Sequence, residues 1–112
     1  MAVVNFSPLP AGSSALPTGV FALGPGGAEP AAVGSFTVTN TGTATDTINF
    51  IDGTATLGFT PSAVLVFRNG GTAAATISAA NVTGITNILC VVNWSATPGA
   101  STTLLGVVLI FR

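Results

Sequence analysis

Apolar and polar residues alternate in short stretches of the chain beyond residue 33. Residues 35–39 read Ser-Phe-Thr-Val-Thr, and residues 45–50 read Thr-Asp-Thr-Ile-Asn-Phe. Successive side chains of a β-strand point to opposite faces, so this two-residue period predicts two strands that each bury one face.

The turn residues between the apolar stretches predict further strands. Asp52-Gly53 predicts a hairpin with a return strand at 54–59, because its turn type needs a positive φ at both central positions. Residues 63–67 are all apolar, which predicts a strand buried on both faces, and Asn69-Gly70 predicts the turn after it. The other predicted strands are 1–6, 20–23, 73–77, 88–94 and 103–111.

The strand pattern predicts an all-β fold. No segment keeps the 3.6-residue period of a helix, and β-branched residues are abundant throughout. About seven or eight short strands separated by turns are typical of an antiparallel β-sandwich or jelly roll. The positions predicted to face the core are Phe36, Val38, Ile48, Phe50, Leu57, Phe59, Val64, Val66, Leu89, Val91, Val107 and Leu109.

The first thirty residues differ in composition from the rest of the chain, whose length fits a single domain. Five of the seven prolines lie there, with glycines between them. Proline removes a backbone donor and glycine weakens strands, so the stretch is predicted to be extended. We therefore divide the chain into an N-terminal arm, 1–30, and a β-sandwich domain, 31–112. The strand pattern at 1–6 suits addition to a sheet edge, on this molecule or on another.

Charged residues are scarce. They make up 4% of the 112 residues, whereas ordinary domains contain about a quarter. Two arginines against three carboxylates leave no basic surface, which excludes nucleic acid and a polybasic membrane contact. A surface with little repulsion between copies favours a chain packed against neighbours, with a low-charge secreted or acid-adapted domain as the alternative. The charged residues are Glu29, Asp46, Asp52, Arg68 and Arg112.

No membrane span or secretory leader is predicted, although the mean hydropathy is +0.77. The apolar stretch 104–111 contains Gly106 and is far shorter than the roughly 20 residues of a spanning helix. Early prolines and the lack of basic residues argue against a signal peptide, so we expect an unprocessed product made in the cytoplasm. The glycosylation sequons at Asn5, Asn81 and Asn93 are then incidental.

The residue types needed for catalysis are largely missing. Without His or Lys, a serine or the single Cys90 lacks its usual activating base. Asp46 and Asp52 are the one conceivable acid/base pair, but a strand entrance and a turn favour structural roles for them. One cysteine cannot build a zinc site, and Gly24–Gly27 lacks the lysine and helix of a phosphate loop. We therefore predict no enzyme, no catalytic residues, no metal and no cofactor.

Four further residues have two interpretations each. Cys90 lies in an apolar stretch and is expected to be a buried side chain rather than a reactive thiol. Trp94 is expected in the core or at a sheet end, with an exposed binding platform as the alternative. Arg68 and Arg112 each end an apolar strand on a charge, which protects a sheet edge. Their alternative role is an intersubunit ion pair with one of the three carboxylates.

One segment resembles a known family. Residues 58–67, Gly-Phe-Thr-Pro-Ser-Ala-Val-Leu-Val-Phe, resemble a GF-x-P-x-AV-x-x-F pattern of small β-sandwich structural proteins from tailed bacteriophages. The chain as a whole is similar in style to capsid decoration or cement proteins. The resemblance implies a trimeric or dimeric knob that binds the major capsid protein on the outer lattice of the virion and stabilises the head.

Two other functions stay open. The first is a phage tail or fibre accessory protein, which would share the low charge and the strand pattern described above. The second is a carbohydrate- or surface-binding β-sandwich module, which would need exposed aromatic residues, and the sequence offers few of them. If the protein has either of the two phage assembly roles, we expect a homo-oligomer, with a trimer favoured. The arm is expected to make intersubunit or capsid contacts, because extended segments dock on sheet edges through backbone hydrogen bonds.

Overall fold

The structure is a computed structural model that describes residues 2–3, 5–6, 30–50 and 57–112. Within these residues every regular element is a strand and there is no helix, which confirms the all-β class. In chain order the strands are β1 (Ala2–Val3), β2 (Asn5–Phe6), β3 (Ala32–Thr39), β4 (Thr45–Asn49), β5 (Ala63–Gly70), β6 (Ala79–Thr83), β7 (Leu89–Trp94) and β8 (Thr103–Phe111).

The strands form two sheets. Sheet A has the order β1-β4-β7-β6, and sheet B has the order β2-β3-β8-β5. Three strands of each sheet pair antiparallel, and a two-residue strand extends one edge of each, with β1 parallel to β4 and β2 antiparallel to β3. The beginning of the chain therefore pairs with both sheets of its own molecule. The rest of the predicted arm before Pro30 and the predicted strand 20–23 lie outside the described residues.

Strand β8 is the central strand of sheet B. It pairs with β3 along its length and with β5 on its other side. Gly106 has no side chain where it passes Phe36, and a Cβ there would collide with the Phe67 carbonyl oxygen and lie 2.7 Å from the Phe36 ring. This glycine therefore makes room for Phe36 in the core.

One hydrophobic core joins the two sheets. Phe36 and Val38 of β3 belong to the same cluster of buried side chains as Ile48 of β4 and Val92 of β7. The rings of Phe36 and Trp94 lie 6.4 Å apart between their centroids. Among the predicted inward positions, the members of this cluster are Phe36, Val38, Ile48, Phe50, Leu57, Val64 and Val66, and Phe59 packs against it while partly buried.

The predicted inward phase of β7 was wrong by one residue. Leu89 and Val91 are half-buried, whereas Cys90 and Val92 have no exposed surface. The stretch 88–92 is apolar at every position, so no alternation marks its core face. In β8 the prediction was wrong at Val107 for the same reason, whereas Leu109 is buried as predicted. Its core residues include Val108, while Val107 is half-buried and Leu109 is buried outside the shared core.

Several predicted elements also differ. Residues 73–77 form turns instead of a strand, and the strand in that region is β6, which the pattern missed. Residues 57–59 are not in a strand, and the Asp52-Gly53 hairpin lies outside the described residues. Asn69 and Gly70 belong to β5, so the turn begins at Gly71, whose φ is +111°.

The prediction that 63–67 is buried on both faces was wrong. Val64 and Val66 are buried in the core, but Ala63 and Leu65 are half-buried and Phe67 is 51% exposed. Strand β5 lies at the edge of sheet B and covers the core with one face only.

Candidate functional site

A buried asparagine organises the turn between β3 and β4. The Oδ1 atom of Asn40 accepts hydrogen bonds from the backbone N–H groups of Gly42 (2.7 Å) and Thr43 (2.9 Å). Its Nδ2 donates to the Thr43 carbonyl (3.0 Å) and to Oδ2 of Asp46 (2.7 Å). The amide is 1% exposed and both of its polar atoms are bonded, so Asn40 is a structural anchor.

Asp46 joins this turn to the end of β7. Its Oδ2 also accepts a 2.8 Å hydrogen bond from the indole Nε1 of Trp94. Trp94 is only 5% exposed, which confirms its position in the core and leaves no binding platform on its ring. Asp46 is thus an acceptor for two structural donors. Asp52, its partner in the acid/base pair considered from the sequence, and Glu29 lie outside the described residues.

Arg68 holds the loop that follows β5. Its Nε donates to the Gly70 carbonyl at 3.0 Å, and its Nη atoms donate to the carbonyls of Ala73, Ala74 and Ile77. The guanidinium is therefore directed onto the carbonyl groups of its own loop. Neither interpretation made from the sequence, edge protection or an intersubunit ion pair, included these contacts.

Arg112 lies against an aromatic ring. Its guanidinium carbon is 4.5 Å from the centroid of Phe59, a cation–π distance. The Arg112 carbonyl accepts a 2.8 Å hydrogen bond from Oγ of Ser62. These contacts tie the residue after β8 to the segment that precedes β5.

The thiol of Cys90 is not suited to nucleophilic chemistry. The side chain is fully buried in the core on β7, as the sequence indicated. Burial in apolar surroundings raises the pKa of the thiol from 9.0 to about 12, because the thiolate would lose its hydration. The nucleophilic form is therefore scarce near neutral pH.

The described residues contain no cluster of three or more His, Cys, Asp and Glu side chains of the kind that holds a metal ion. In the same part of the chain, no helix is long and apolar enough to cross a membrane.

The outward side of sheet B is apolar along β5 and β8, and polar along β3, where Ser35, Thr37 and Thr39 are exposed. Cross-strand register places Phe67 beside Val107 and Leu65 beside Leu109, which in turn pairs with Val33. Phe67 is 51% exposed and Leu105, two residues before Val107 on the same face, is 37% exposed. We call this surface the outer face of sheet B. Its apolar residues with exposed area are Val33, Leu65, Phe67, Leu105 and Val107.

The outward side of sheet A is polar and uncharged. Register places Thr45 beside Asn93, and Thr47 beside Val91, which in turn pairs with Thr83. The Nδ2 of Asn93 donates a 3.1 Å hydrogen bond to Oγ1 of Thr83. The large apolar side chains that are exposed within strands, Phe67 and Leu105, thus lie on sheet B, and exposed apolar surface of this kind is what water does not favour.

A cleft lies between the edges of the two sheets. It has a volume of about 190 Å³, and strands β5 and β6 form its walls through residues 64–67 and 79–82. Asn81 is the one polar side chain among these lining residues. The sequence missed this cleft because β6 was not predicted.

Comparison of the chain with protein-family models, with curated proteins and with solved structures gives no match.

Proposed function

We propose that the protein is a non-enzymatic β-sandwich or jelly roll that docks on a protein shell in the manner of a phage capsid decoration or cement protein. The observation that carries the proposal is the outer face of sheet B, on which Phe67 and Leu105 are exposed in a chain with 4% charged residues. The resemblance in residues 58–67 supports it, since that segment leads into β5 and ends at Phe67.

The physical basis of docking is burial of apolar area. Contiguous exposed apolar residues on a soluble domain mark interaction surfaces. Covering the exposed parts of Phe67 and Leu105 would contribute on the order of 1 kcal/mol each. The same face carries no charged side chain in β3, β5 or β8. The partner surface, which we propose to be part of the outer lattice of a major capsid protein, is therefore expected to be apolar and uncharged where the two proteins meet.

The test is binding to capsids that lack the protein. Leu105→Ser removes apolar area from the outer face without touching the core. Ile88→Ser is the matched control, because Ile88 is 38% exposed against 37% for Leu105 but lies in the loop before β7. We expect the wild type and Ile88→Ser to bind, and Leu105→Ser to bind about fivefold more weakly. Wild-type protein without affinity for capsids, or equal binding of Leu105→Ser, would contradict the proposal.

A tail or fibre role would use the same face. If the wild type and Ile88→Ser bound purified tails but not capsids, and Leu105→Ser bound tails more weakly, the protein would be assigned to the tail and not to the head. In either role we propose a homo-oligomer located on the virion; the resemblance implies a trimer or a dimer.

The outward side of sheet A favours one second candidate, a carbohydrate-binding module. Threonine hydroxyls and asparagine amides on β4, β6 and β7 offer uncharged hydrogen-bonding groups to sugar hydroxyls. Glycan-array binding by a monomer, lost in Thr47→Val, would support this candidate over the capsid role.

A further inference from the structure

Strand β5 is a long edge strand. It has eight residues, and among the described residues its only pairing partner is β8. The backbone N–H and C=O groups on its other side are therefore directed away from sheet B. Natural proteins protect such edges with charges, prolines, bulges or short strands, because an open edge pairs with other chains.

The part of β5 from Ala63 to Phe67 has none of these protections. It contains no charged residue and no proline. Arg68, the charged residue that follows this segment in β5, donates hydrogen bonds to the carbonyls of its own loop at Ala73, Ala74 and Ile77. The β-bulge lies between Arg68 and Gly70, so it interrupts only the far end of the strand.

The surroundings of this edge restrict what can pair with it. The cleft beside it has a volume of about 190 Å³, below the roughly 300–1,000 Å³ of small-molecule sites. It suits side chains of an added strand better than a free ligand. A charged side chain placed there would lose water without finding a partner charge, so the added strand must be uncharged.

We propose that β5 pairs antiparallel with β5 of a second copy around a two-fold axis, which joins the two B sheets edge to edge. The segment 63–67 of a second copy is itself apolar, uncharged and extended, so it meets the requirement that the edge imposes. Such an interface is isologous, with the same strand contributed by both copies. The pair would align the outer faces of both B sheets and bring their Phe67 side chains onto one surface.

This inference goes beyond capsid docking, because it names the second copy as the partner of the edge. Of the dimer and the trimer that the resemblance allows, it favours the dimer, whereas the sequence favoured the trimer. Sedimentation of the wild-type protein decides between them, and a mass of one or three chains would overturn the pairing.

Cysteine cross-linking locates the interface. In a two-fold antiparallel pair one residue lies opposite its own copy, with Cα atoms about 4.5–5.5 Å apart, within the range of a disulfide. Cysteine is placed singly at each position from 63 to 67, and buried Cys90 stays inert. We expect one of the five variants to form a covalent dimer under mild oxidation. Thr37→Cys, exposed on the same face but on β3, is the control expected to stay monomeric in a non-reducing gel. No cross-link within 63–67 would overturn the proposal.

A charge on the edge tests the pairing through the oligomeric state alone, because Leu65 also belongs to the outer face of sheet B. We expect Leu65→Lys to convert the dimer to a folded monomer, with an unchanged circular dichroism spectrum, while Ile88→Lys remains a dimer. A folded Leu65→Lys variant that stays dimeric overturns the edge pairing. If the wild type binds capsids as a monomer, only the pairing fails. If it is a β5-linked dimer without capsid affinity, only the docking function fails.

Discussion

The indole Nε1 of Trp94 donates a 2.8 Å hydrogen bond to Oδ2 of Asp46, 48 residues earlier in the chain. The same oxygen accepts a 2.7 Å bond from Asn40. One carboxylate thereby joins the turn after β3, the start of β4 and the end of β7. Hydrogen bonds to charged groups contribute about 1.5–3 kcal/mol, roughly twice a neutral pair.

Removing this carboxylate should destabilise the protein. Asp46→Ala leaves the buried donors of Trp94 and Asn40 without their acceptor, and we expect the free energy of unfolding to fall by about 1–3 kcal/mol. Asp46→Asn keeps an oxygen in place and is expected to lose less. Urea unfolding measures both, and equal losses would show that the acceptor oxygen is not what matters.

Two phenylalanines should respond differently to truncation. Phe50 has no exposed surface and belongs to the shared core, so Phe50→Ala should cost about 3–5 kcal/mol. Phe67 is half exposed on the outer face of sheet B, so Phe67→Ala should cost less than about 1 kcal/mol in the monomer. A loss below about 1 kcal/mol for Phe50→Ala would place that ring on the surface.

Two glycines of sheet B should tolerate a methyl group unequally. In Gly106→Ala the new Cβ meets the Phe67 carbonyl and lies 2.7 Å from the Phe36 ring, so we expect a loss of at least about 2 kcal/mol. At Gly70 the nearest neighbour of a Cβ is the Leu105 Cβ at 3.8 Å, an ordinary contact. Gly70→Ala should therefore change stability by less than about 0.5 kcal/mol in thermal unfolding. Equal effects would contradict the packing of Gly106 against Phe36.

Stability should decline at alkaline pH because of Cys90. Burial raises the pKa of its thiol from 9.0 to about 12, so folding favours the protonated form. The contribution is fully present below pH 9, and it is lost as the pH rises from 9 through 12. The sequence has no Tyr and no Lys, so no other side chain ordinarily titrates in that window except the arginines at its upper end.

The measurement is urea unfolding at a series of pH values, with Cys90→Ala as the control. We expect the wild type to lose stability above pH 9 and the variant to change little between 9 and 11. Parallel pH profiles would show that the thiol does not cause the decline.

The sequence predicted the fold best where hydrophobic alternation is clear. Strands β3 and β4 alternate, and their inward residues Phe36, Val38 and Ile48 are all in the core. Strands β7 and β8 lie in runs that are apolar in both phases, so their core faces depend on which sheet covers them. Which face of such a strand is covered depends on how the two sheets pack, and the spacing of residues along the chain does not reveal it.

The candidate site was predictable only in part. The apolar stretch 63–67 was visible, but a segment that is apolar on both faces gives no sign of which face stays uncovered. The role of Arg68 depends on carbonyl groups of a loop that was predicted as a strand. Asp46 was expected to be structural, yet its bond to Trp94 joins residues too far apart in sequence for a local motif.

The central position of β8 has a consequence for synthesis. Strands β3 and β5 leave the ribosome well before residues 103–111, yet neither has its main partner in sheet B until β8 is translated. The nascent segment 63–67 meanwhile has two open edges, and exposed apolar strands of this kind are prone to aggregate. Sheet B can therefore be completed only after β8 has emerged, and chaperone demand should be greatest just before that point.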